Sequence, residues 1–84
     1  MASMASARLG KRLYEARTNR GLTMAALANK AKVGASTINT IEKGRTSPAA
    51  DTIERLAKAL GVDPCWLAYG TGTQPDWTAE NAEG

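Results

Sequence analysis

Residues 23–42, TMAALANKAKVGASTINTIE, decide how the whole chain is read. Thr23 offers a hydroxyl N-cap, and Leu27, Ala28 and Ala31 fall on one side of the helix that follows, from Met24 to about Lys30. Ala26 stands where a capping box would carry glutamate, so the cap acts alone. The alanines favour helix and let a neighbouring helix approach closely. A turn at Lys32 and Val33 leads to a second short helix from about Ala35 to Lys43, which Gly44 ends by its ease in the left-handed conformation. Setting the core direction midway between Ile38 and Ile41, and stepping about 100° per residue, turns Val33 inward and points Ser36 and Lys43 most directly outward. Asn39 and Thr40 flank them, and Ala35 completes the outer side.

On the N-terminal side, Leu9, Leu13 and Ala16 recur at helical spacing between Ala5 and Arg20, with Lys11, Arg12, Glu15 and Arg20 mostly on other faces. Gly21 closes this helix and Leu22 folds back over its last turn. A basic amphipathic helix also suits a membrane surface, but further helices follow directly and need its apolar stripe for a core. On the C-terminal side, Ser47-Pro48 reads as a helix start, with Asp51 near the positive end of the dipole. Ile53, Leu56, Ala57 and Leu60 form its stripe up to Gly61. Asp63-Pro64 repeats the signal for a last short helix through Trp66 and Leu67 to Gly70, with Trp66 expected in the core. The segment TGTQPDWTAENAEG beyond Gly70 is polar and acidic, and is expected to be irregular, with Trp77 a loosely tethered aromatic. Period-two alternation is absent. The expectation is an all-α fold of five short helices: an N-terminal arm over 1–7 with a second candidate start at Met4, a helical domain over 8–71, and a flexible acidic tail over 72–84.

At 84 residues the chain supports one core, which must rest on close helix packing and self-association. With no His and a single Cys, Cys65, there is no zinc site of the usual spacing, no intrachain disulfide and no His-based triad. No metal or other cofactor is expected, and an enzyme is the least expected class. Cys65 has no neighbour in sequence that would activate it. Neither a signal peptide nor a run of about 20 apolar residues occurs, so a cytoplasmic protein is expected, without membrane contact. The net charge of +3 hides an asymmetry: all 11 Lys and Arg lie between Arg8 and Lys58, while Asp76, Glu80 and Glu83 sit in the tail. A basic body suits a polyanionic partner.

Several motifs agree in order and spacing: RLYEARTNRGLT, the LA of the second helix, STINTIEKGRTSP, and LAKALGVDPCWLAYG. Over about residues 8 to 71 the chain resembles the lambda-repressor-like, or Xre-type, helix-turn-helix family, with the helix-turn-helix at about 23–43. The resemblance implies double-stranded DNA as partner, the third helix in the major groove, the start of the second helix on a phosphate, and a homodimer on a palindromic operator. Carried over residue by residue, Ala35, Ser36 and Thr40 face bases. Asn39 joins them, because asparagine can pair with adenine. Thr23, Met24, Thr37, Lys43, Arg45 and Thr46 lie along the DNA backbone. Arg17 and Glu42 resemble a partly buried structural ion pair, and Pro64, Cys65 and Leu67 would belong to a dimer interface on the last helix.

Three departures stand out. Met24 replaces a frequent glutamine and cannot hydrogen-bond a phosphate through its side chain, which leaves the backbone N–H groups to do so. Lys32 occupies a turn position where glycine is common for its ease at positive φ, so lysine implies either some strain or a slightly different turn. The reading face lacks Arg, Gln and Lys in its first two turns, and its short side chains suit a closely docked helix and A·T pairs. The implied function is a transcriptional regulator, most simply a repressor. The rival is a protein-interaction module, or an antitoxin or controller subunit, acting through a regulatory protein partner by way of the acidic tail and Trp77. The 84 residues leave no room for a ligand-sensing domain, so no small-molecule ligand is expected.

Overall fold

Apolar residues at helical spacing, punctuated by glycine, produce five helices among residues 4–77, the part of the chain that the computed structural model describes. They are α1 (Met4–Asn19), α2 (Met24–Ala31), α3 (Ala35–Glu42), α4 (Ala50–Leu60) and α5 (Pro64–Tyr69), and no strand occurs among the described residues. α1 packs on α3 and α5, α2 on α3 and α4, and α4 on α5. Leu13, Leu27, Ile38, Ile41, Leu56, Leu60 and Leu67 are fully buried at the centre, with Trp66 beside them.

Residues 4–7, expected as an arm, form the first turn of α1, with Ser6 buried. A close crossing explains their order. A Cβ on Gly10 would overlap the carbonyl oxygen of Ile41 and stand 2.8 Å from that of Glu42, and one on Gly44 would stand 3.0 Å from the Cα of Ala7. The N-terminal half of α1 therefore lies directly against the end of α3, a contact that only glycine at position 10 allows.

Two arginines, Arg12 within α1 and Arg20 just beyond its end, bind the other helices to it. Arg12 donates to the carbonyls of Leu67 (2.9 Å) and Ala68 (2.8 Å), and Arg20 donates to that of Leu60 (2.8 Å). These carbonyls belong to the last turns of α5 and α4, where the helix leaves acceptors unpaired and the dipole favours a cation. Burial and, secondarily, the charge of Arg8 lower the Arg12 pKa.

Two local expectations fail. α4 begins at Ala50, two residues later than Ser47-Pro48 suggested; its N-cap is Ala49, extended at φ −64° and ψ 156°, with no side-chain cap. Pro48 stands one position before that cap, so its ring shapes the approach of the chain and not the first turn. The described stretch after α5, residues 71–77, is also not loose. Asp63 caps α5 by accepting from Cys65 N (2.7 Å) and takes a second N–H from Thr73 (3.0 Å), and Pro75 is buried. Trp77 meets Trp66 edge to face, with centroids 5.9 Å apart, and its indole N–H donates to Glu15 at 2.8 Å. The Arg20 guanidinium lies 4.9 Å from its ring centroid. An aromatic with apolar, cationic and hydrogen-bonding partners at once is held in place. Glu80 and Glu83 lie outside the described residues.

Candidate nucleic-acid interface

α2 starts as the sequence suggests: Thr23 is extended and its Oγ1 accepts from Ala26 N at 3.0 Å. Leu27 N bonds to Thr23 O, which leaves the N–H groups of Met24 and Ala25 without an intrahelical acceptor. Met24 does not extend its side chain along this edge; it packs partly buried against the core. What this helix start offers an anion is backbone N–H and dipole, together with the Thr23 hydroxyl.

The turn to α3 passes through Lys32, whose φ of 59° and ψ of 46° are left-handed. In α3, Ile38 and Ile41 are fully buried while Ala35, Ser36 and Thr37 are exposed, and Asn39 and Thr40 are half-buried on the flanks. The Thr40 hydroxyl donates to the Ser36 carbonyl at 2.8 Å, so what Thr40 presents outward is a lone pair and a methyl group. Beyond α3, Lys43 and Arg45 are exposed and Thr46 is half-buried around the left-handed Gly44. Arg45 N bonds to Thr40 O at 3.2 Å, which ties this turn to the helix. Because Ala7 abuts Gly44, the exposed Arg8 is also brought near the turn, a tertiary neighbour that no local signal reveals.

Arg17 and Glu42 hold these pieces together. Arg17 Nε lies 2.6 Å from Glu42 Oε2 and Nη2 lies 3.1 Å from Oε1, a two-pronged pair with side chains only 12% and 6% exposed. Nη1 donates to Leu22 O at 2.9 Å, and the guanidinium lies 5.3 Å from the Tyr14 ring centroid. The hydrogen bond to Glu42 raises the Arg17 pKa. One guanidinium thus fixes the end of α3 and the loop entering α2 relative to α1.

On the α4–α5 side, Pro64 and Cys65 are exposed but Leu67 is fully buried. Leu67 belongs to the core and has no surface to give an interface. The exposed side of α5 instead carries Tyr69, 76% accessible, next to a shallow cleft of about 140 Å³ whose lining includes Ile53, Pro64, Cys65 and Ala68. In a helix of six residues periodicity is too short to tell Leu67 from Tyr69. Among the described residues no group of three or more potential metal ligands occurs, and no helix is long and apolar enough to cross a membrane.

Residues 13–67 match the family described as helix-turn-helix. The chain belongs to the helix-turn-helix family. Its helix-turn-helix is α2, the left-handed turn and α3. The HTH-type transcriptional regulator DdrOP3 of Deinococcus deserti is 33% identical over 72 residues, which make up 86% of this chain and 56% of DdrOP3. The chain thus spans little more than half the length of that relative. Among solved helix-turn-helix structures, the restriction-modification controller protein C.AhdI of Aeromonas hydrophila superposes with a TM-score of 0.71 at 32% identity, covering 74% of this chain and 94% of C.AhdI. The P22 c2 repressor, solved in complex with a synthetic operator, gives a TM-score of 0.71 at 28% identity over 75% of this chain and 96% of that one.

Proposed function

We propose that this helix-turn-helix chain is a sequence-specific DNA-binding transcriptional regulator, a repressor that occupies a palindromic operator in the cytoplasm as a homodimer. The observation that carries the reading is the continuous edge formed by the open start of α2, the exposed uncharged face of α3 and the cationic turn after it, all braced by Arg17 and Glu42. α3 enters the major groove. Ala35 and Ser36 meet bases at its start, and Asn39 pairs with adenine. Thr40, its proton spent on Ser36, reads as an acceptor and a methyl group. Lys43 and Arg45 neutralise phosphates, joined by the hydroxyls of Thr23, Thr37 and Thr46 and by the N–H of Met24. Dimerisation uses Pro64, Cys65 and Tyr69 on the open side of α5. The likeness to a controller protein favours a second role for the same edge, as a controller subunit.

Selection of bound duplexes from a random pool tests this reading. It returns a two-fold symmetric site with A·T pairs among the contacted bases; a pool with no enriched symmetric site defeats the operator assignment. On the selected duplex Asn39→Ala loses about 1–3 kcal/mol of binding, and on a scrambled duplex it binds like the parent. Equal loss on both removes Asn39 from base reading.

A further inference from the structure

α2 and α4 lie side by side and leave an open groove of about 490 Å³, floored by Ala31 and Ala59 and rimmed by Lys30, Lys32, Arg55 and Lys58. It sits at the far end of α2 from Thr23, about 12 Å along the helix. No carboxylate lines it, and the one ion pair at its rim, Arg55 with Asp51 at 3.3 Å, is exposed and weak. Lys32 carries a further mark. It is the one non-glycine residue with positive φ among the described residues, at a position where glycine would be free of strain.

The chemistry of the rim selects among anions. α2 and α4 both end toward the groove, at Ala31 and Leu60, so it offers an anion no N–H groups of a helix start. A compact phosphate prefers backbone N–H groups at a helix start, and a nucleobase prefers an aromatic platform; the groove has neither. Carboxylates spaced along a chain suit it better, because long lysine side chains reach them away from the backbone while the alanine floor takes an apolar side chain between them. We propose that the groove between α2 and α4 docks an acidic segment of a partner protein, with an apolar residue set between its carboxylates.

The probe is a short labelled peptide alternating glutamate with leucine, followed by fluorescence anisotropy with the full chain. It binds, binds less as salt rises, and does not bind when glutamine replaces glutamate. Lys30→Glu combined with Lys58→Glu weakens it by about tenfold or more, whereas Lys43→Ala combined with Arg45→Ala leaves it unchanged. Should the charge reversals unfold, as circular dichroism would reveal, Lys30→Gln with Lys58→Gln replaces them and gives a smaller loss. Lys32→Gly raises the Tm while weakening the peptide roughly two- to fivefold, a combination that a purely structural lysine does not produce. Equal loss from the Lys43 and Arg45 variants overturns the assignment. So does binding of inorganic tripolyphosphate alone, or a duplex that displaces the peptide and itself depends on Lys30 and Lys58, which would give the groove to nucleic acid.

Discussion

Three arginines in and just after α1 and the cations of the α3–α4 turn look alike in the sequence and do opposite work in the fold. Arg12, Arg17 and Arg20 are turned onto helix-end carbonyls and Glu42, so their charge is spent inside the molecule. Lys43 and Arg45 stand exposed without such acceptors. A basic surplus is therefore a poor measure of how much positive charge faces a partner. What separates the two groups is position: α1 crosses the ends of three other helices, where unpaired carbonyls collect, whereas the turn after α3 has only its own backbone within reach.

The sharpest way to break this contrast is Arg17→Met, which leaves Glu42 buried without its partner. Stability should fall by about 3 kcal/mol, read as a lower urea midpoint, and a drop no larger than that of an ordinary surface change would place Arg17 with the free cations. Arg12→Met should cost about 1–2 kcal/mol, because two carbonyls of α5 lose a charged donor. For Lys43→Ala and Arg45→Ala the pattern inverts: stability stays within about 0.5 kcal/mol of the parent, while affinity drops on all duplexes and each salt slope shrinks by about 1. A stability loss matching that of Arg12→Met would erase the distinction.

The smallest effect tests the acidic side of the same rule. The N–H groups of Thr73 and then Cys65 lower the Asp63 pKa. The carboxylate therefore adds stability above the unfolded pKa of about 3.9, and that contribution is lost as pH falls through the still lower folded value. Asp63→Asn should be slightly less stable than the parent at neutral pH and converge with it in acid. A gap that stays constant with pH would show that the carboxylate charge plays no part.

Signals carried within one helix were readable in advance. Ile38 and Ile41 are inward because of spacing and Thr23 caps because of its hydroxyl, while of the two turns left open at Lys32 the fold takes the left-handed one. Features made by distant partners were not. Trp77 stood in a polar, acidic stretch whose composition suggested looseness, but Glu15, Arg20 and Trp66 receive it. Ser47-Pro48 carried a valid local start signal that the path of the chain into α4 displaced by two residues. For the proposed recognition edge, the exposure of Ala35, Ser36 and Thr37 follows from the periodicity of α3, while the bracing by Gly10 and the neighbour Arg8 required the fold of α1.

The pairing of Trp66 with Trp77 gathers both indoles of the chain into one cluster beside α1 and α5. Intrinsic emission therefore comes from a single locale. It should report release of the segment after α5 as the indoles part, and stay silent when a duplex occupies α3.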